Sequence, residues 1–156
     1  MRSVRRELTV EGLAPPISHY CDAVHFGELL FISGVPPTDA AGRVVSDDVA
    51  AQARQVFANL KLILDAAGAS FADILKVTVY LLDVNDRGKI NPVRQEFFGD
   101  ARPASTLIGV SALAIPGMKV EIEAVAGLRA RPGSRRSAGA RRARKSTRRP
   151  SARRHR

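Results

Sequence analysis

Near the end of its apolar portion the chain alternates strictly: Val120, Ile122 and Ala124 against Lys119, Glu121 and Glu123. A period of two predicts a strand over 118–126 with two unlike faces. Another strand-like run covers 105–113, and the pair Pro116 and Gly117 between the runs predicts a β-hairpin. Upstream, residues 6–10 read as a short strand, ended by the Gly and Pro punctuation of 12–16. Residues 19–26 and 29–33 read as two strands around a tight turn at Gly27 and Glu28. The continuous run Leu30, Phe31, Ile32 predicts a strand covered on both faces.

Over 46–67 the period lengthens. Val49, Ala53, Val56, Phe57, Leu60, Ile63, Leu64 and Ala67 form one broad helical face. Ser46 or Asp47 is placed to cap its start, and Gly68 to end it in a left-handed conformation. Residues 74–82 return to a period of two, with Val77, Val79 and Leu81 opposite Lys76, Thr78 and Tyr80. Strand, helix and strand make a β-α-β crossover. Asn91 followed by Pro92 reads as a cap and first helical residue, opening a short helix that runs through Phe98 to Gly99.

The order is βββαβαββ: an α+β fold with a single mixed β-sheet and two helices on one face. The other face needs a cover, and Tyr80, Leu82, Val110 and Ile122 are candidates to line it. An oligomer follows, because an uncovered apolar face of that size is rare in a monomer.

Charge divides the chain in two. Residues 1–128 hold 12 Lys/Arg against 15 Asp/Glu, a net −3, whereas 129–156 hold 13 Lys/Arg and no acid. The first part is one domain. The second has no large apolar residue and is expected to be a disordered Arg-rich tail. Two origins for it stay open: an arm that binds polyanions, or the product of a GC-rich reading frame beyond a lost stop codon. Nucleic acid is a partner only through that tail. A lone cysteine, Cys21, excludes an intrachain disulfide and a Cys-based zinc cluster. No apolar run approaches the ~20 residues that cross a bilayer, and the start lacks the apolar core of a secretory signal. The expectation is a soluble, cytoplasmic protein with no metal and no organic cofactor.

Five segments in order carry a resemblance: 17–24 (ISHYCDAV), 30–36 (LFISGVP), 55–70 (QVFANLKLILDAAGAS), 97–99 (FFG) and the VEIEA of 120–124, reached from the Pro-Ala-Ser of 103–105. Together they resemble the RidA/YjgF family of imine and enamine deaminases over roughly residues 8–126. The resemblance implies the chorismate-mutase-like fold of that family and a homotrimer with sheets packed inward. It also implies hydrolysis of a reactive imine or enamine metabolite to a carbonyl compound and ammonia, in clefts between subunits.

Residue by residue, it implies a substrate-binding role for Tyr20, for Ser33 and Gly34 at a strand end, and for Asn91. Glu121 would position the attacking water. Each has a plainer reading beside it: a packed tyrosine, a strand terminator, a helix cap, a solvated strand residue. One departure stands out. Family deaminases read Pro-Ala-Arg-Ser where this chain has Pro103, Ala104, Ser105 and Thr106. Ser105 therefore replaces the arginine that would hold a substrate carboxylate through a planar fork. Arg102, the nearest arginine, lies three residues away on the chain, which in a strand is ~10 Å and the opposite face. Ser105 and Arg102 stand as substrate-binding candidates, Arg102 only if its long side chain folds back from the preceding loop. On these residues 2-imino acids are expected to be poor substrates and imines without a carboxylate better ones. The alternative is a non-catalytic trimer of the same fold that binds a small molecule.

Overall fold

The computed structural model describes residues 4–128; the Arg-rich tail expected from the sequence lies outside them. Six strands form one sheet: β1 (Arg6–Leu8), β2 (Ala23–Phe26), β3 (Leu29–Val35), β4 (Ile74–Leu81), β5 (Ala104–Gly109) and β6 (Val120–Gly127), in the spatial order β1-β2-β3-β6-β4-β5. Two helices, α1 (Val49–Ala67) and α2 (Arg87–Phe98), complete the predicted order. The sheet is mixed: β4 and β5 are parallel, and every other pairing is antiparallel.

The last two strands do not form the expected hairpin. β4 lies between them, parallel to β5 and antiparallel to β6. The reason is topological: β4, α2 and β5 make their own crossover unit, so β6 must enter on the far side of β4, where it also pairs with β3. Pro116 and Gly117 therefore turn a connection across the sheet end rather than a two-strand loop. Gly117 adopts a φ of 91°, which favours glycine.

Asp48, rather than Ser46 or Asp47, caps α1; its carboxylate accepts the Ala51 amide at 2.8 Å. Gly68 ends the helix as expected, donating to Asp65 O while the Ala69 amide reaches Leu64 O, the two bonds of a Schellman motif. The second helix starts earlier than its Asn-Pro pair suggested. A short 3-10 turn, Val84–Asp86, feeds directly into Arg87, so Asn91 lies inside α2 and caps nothing. Pro92 is tolerated because, one turn in, it forfeits only the amide bond toward Gly88.

The core lies between α1 and one sheet face. Leu30, Ile32, Val77, Val79, Leu81, Val120, Ile122 and Ala124 point to it from the strands, and Val56, Phe57, Leu60 and Leu64 from the helix. Ile122, expected on the uncovered face, is fully buried here. A phenyl cluster fixes α2 against α1: the Phe57 ring centroid lies 5.3 Å from Phe97 and 5.8 Å from Phe98, and Phe71 lies 5.2 Å from Phe98.

The other face carries Phe31, Tyr80, Ile108 and Val125. Phe31 is 45% exposed in the single chain, so β3 is covered on one face only. No helix among the described residues is long and apolar enough to cross a membrane.

Candidate functional site

Residues 33 and 34 lie where β3 loses its regular pairing. Ile32 pairs with Ala124 and Val35 with Ile122, so the strand fits one extra residue there. Such a bulge twists the strand and re-aims side chains, and it recurs beside binding sites. Gly34 faces β6, and Glu121 crosses directly above it: a β-carbon at residue 34 would lie 1.9 Å from Glu121 Oε1. Glycine leaves that space to the Glu121 carboxyl.

Tyr20 arrives from the side. The sequence placed it in a strand, yet β2 begins only at Ala23 and residues 17–22 bend irregularly. Four hydrogen bonds hold this bend. Asp22 O accepts the Ser33 amide at 3.0 Å, and the Asp22 amide donates to Leu8 O at 3.1 Å. The Asp22 carboxylate accepts the Val10 amide at 2.7 Å, and the Ser33 hydroxyl donates to Cys21 O at 2.6 Å. The Ser33 hydroxyl thus acts as a strut beneath Tyr20. Cys21 and Asp22 are spent on the bend itself; the Cys21 thiol donates to Ala23 O at 3.4 Å.

These pieces enclose a hollow of about 350 Å³ lined by Ile17, Tyr20, Ser33, Gly34, Ile115 and Glu121, among others. Its walls are mostly apolar, and a recess of about 40 Å³ continues inward past Leu13 and Ile63. Glu121 accepts no hydrogen bond among the described residues. Burial, reinforced by the negative charge of Glu123, holds its carboxyl above the ordinary glutamate range. A partly dry carboxyl without a partner, beside a phenol, can take a proton from water and give it back.

Asn91, Arg102 and Ser105 do not join this group. Asn91 and Arg102 line a second hollow of about 440 Å³ between α2 and the chain entering β5, and no residue lines both hollows. This one contains a residue that the sequence reading passed over. Arg94, one turn after Asn91 on the same face of α2, reaches over to β5, where its Nη2 donates to Ser105 Oγ at 3.0 Å. A guanidinium therefore stands beside the strand position that lacks one. Burial alone lowers its pKa, and no carboxylate pairs with it among the described residues. The i, i+3 spacing from Asn91 was the available signal. Among the described residues, no three His, Cys, Asp or Glu side chains are grouped to hold a metal ion.

The chain is similar to known proteins over most of its length. Residues 11–128 match the family model described as endoribonuclease L-PSP. A RutC family protein of Pyrococcus horikoshii is 43% identical over 124 residues, covering 79% of this chain and 98% of that protein. The 2-iminobutanoate/2-iminopropanoate deaminase of Salmonella typhimurium is 36% identical over 124 residues, covering 78% and 96%. The crystal structure of the YjgF gene product from E. coli superposes with a TM-score of 0.74 at 36% identity, covering 80% of this chain and 99% of that one.

Proposed function

The chain belongs to the RidA/YjgF family, and on that premise we propose that it hydrolyses the C=N bond of small imines, or their enamine tautomers, in a cleft completed by two copies of the chain. Relatives in the family are named imine deaminases, which supports a hydrolytic deamination at that level. The observation that carries the reading is the Glu121 carboxyl: half-buried, without a hydrogen-bond partner among the described residues, seated on Gly34 and facing the same hollow as Tyr20.

In this reading a water bonded to Glu121 adds to the imine carbon as its proton passes to the carboxylate. Glu121 returns that proton to the nitrogen to give the carbinolamine. Its carboxylate then takes the hydroxyl proton and passes it to the nitrogen as the C–N bond breaks, so that the C=O bond forms and ammonia leaves. One water is consumed, and one carbonyl compound and one ammonia are formed. Tyr20 and the apolar wall position the substrate and keep other nucleophiles out.

The cleft needs a second chain because the residues with site chemistry occupy two separate hollows. The exposed apolar residues of the uncovered sheet face, Phe31 and Ile108 among them, supply the surface on which copies would meet. A homotrimer places one hollow of each chain against the other hollow of its neighbour, giving three equivalent clefts.

The test is a coupled assay that generates the imine in the presence of the protein and follows the carbonyl product. Wild type should accelerate its release, and Glu121→Gln should abolish the acceleration. A wild-type protein that binds the product yet accelerates nothing would instead mark a small-molecule-binding member of the fold.

A further inference from the structure

We infer that Arg94 is the cation that binds the substrate's carboxylate in the completed cleft, so that this chain selects 2-imino acids through a helix residue where Ser105 leaves the strand without one. The inference rests on the reading above and adds a residue and a substrate class to it.

Three observations carry it. Arg94 lines the second hollow with Asn91 and Arg102, and its guanidinium is held by Ser105 Oγ at 3.0 Å. Only one donor is committed there, and a guanidinium has five, so a planar edge is left to offer a carboxylate two parallel bonds. Burial also disfavours its charge, and no acidic residue among the described ones compensates, so a bound anion would gain more there than at an exposed arginine. The other arginine of the hollow differs on each count: Arg102 is exposed, lies on the loop before β5, and makes no hydrogen bond among the described residues. The phenyl cluster that fixes α2 also limits the movement of Arg94, and Ser105 serves as its rest. The serine is then a working part of the clamp.

The full chain and Arg94→Ala, Arg94→Lys and Arg102→Ala variants would be compared in two ways. Calorimetry measures binding of 2-oxobutanoate and of butan-2-one, which lacks the carboxylate. Coupled assays measure turnover of 2-iminobutanoate and of propan-1-imine, each generated in situ by an oxidase. Arg94→Ala should weaken 2-oxobutanoate binding and raise KM for 2-iminobutanoate by ~10–100-fold, with kcat nearly unchanged and both neutral compounds unaffected. Arg94→Lys should fall between, keeping the charge and losing the fork. Arg102→Ala should weaken 2-oxobutanoate binding far less than Arg94→Ala does. If Arg94→Ala does not fold, Arg94→Gln gives the same comparison with the side-chain bulk retained. Wild-type affinity for 2-oxobutanoate in the Arg94 variants would overturn the clamp and leave the deaminase reading intact. So would a wild type that hydrolyses propan-1-imine but does not bind 2-oxobutanoate. A wild type with neither binding nor turnover would remove both.

Discussion

The carboxyl group of Glu121 occupies the volume that a side chain at Gly34 would need: a β-carbon there would lie 1.9 Å from Oε1 and 2.9 Å from the carboxyl carbon. The contact joins β6 to the bulge of β3, so a strand irregularity and a single missing methyl group together set where the acid stands. Gly34→Ala should displace a flexible side-chain end at little cost to the fold, because the clashing atoms belong to a side chain open to the hollow. Thermal unfolding should change slightly, while kcat/KM should fall by ~10²-fold or more, the range of a displaced general base. An equally active Gly34→Ala variant would show that the position of Glu121 is not used.

Acid titration tests the same group. Burial first, and Glu123 second, raise the Glu121 pKa. Hydrolysis needs the ionised form, so the rate should fall on acidification at a higher pH than an ordinary glutamate would dictate. Glu123→Gln removes the second cause and should move that limb toward lower pH. Stability follows with the opposite sign. A carboxyl whose folded pKa exceeds its unfolded one loses its contribution as pH rises through the folded value. Glu121→Gln should therefore gain stability over wild type at neutral pH and lose that advantage below about pH 4. Chemical denaturation at the two pH values measures the difference.

Gln52 gives a separate prediction about the wall of the site. Fully buried in α1, its Nε2 donates to Ser46 O at 2.6 Å and Gly117 O at 2.8 Å, and its Oε1 accepts the Lys119 amide at 2.7 Å. It ties down the connection that carries Ile115 and Met118 to the hollow. Gln52→Ala strands the Gly117 carbonyl and the Lys119 amide, so it should cost about 2–4 kcal/mol in urea unfolding. A loss below about 0.5 kcal/mol would mean that water replaces those bonds freely.

What the sequence revealed follows from how far each signal reaches along the chain. The alternation of Val120, Ile122 and Ala124 and the helical stripe of Val56, Phe57, Leu60 and Leu64 are local, and both elements form where expected. The false hairpin came from treating Pro116 and Gly117 as a link between neighbours. Strand adjacency is non-local, and β4 had already taken the place beside β5. The start of α2 was misplaced because Asn91 and Pro92 mimic a cap, while the turn that launches the helix, Val84–Asp86, contains no such pair. Glu121, Tyr20 and Gly34 were legible as site residues through resemblance, and the structure brings them to one hollow. Arg94 was not, because its importance depends on reaching Ser105, 11 residues away on another element.

Division of the site between copies can be tested by mixing two defective chains. Glu121→Gln removes the proton acceptor from one hollow, and Arg94→Ala the cation from the other. At low 2-iminobutanoate the first parent should be inactive and the second should retain no more than about a tenth of wild-type turnover. In mixed trimers, a cleft is intact when its Glu121 side comes from the Arg94→Ala chain and its Arg94 side from the Glu121→Gln chain. Each side is correct half the time at equal mixing, so about a quarter of clefts should be restored, and with them about a quarter of wild-type activity. The mixture must be unfolded and refolded together so that subunits exchange, with light scattering confirming the trimer. Phe31→Glu, which places a charge on the uncovered sheet face, should block both assembly and rescue. If both hollows served one cleft within a single chain, every cleft in the mixture would carry one lesion. Refolding together would then give no more activity than the parents alone.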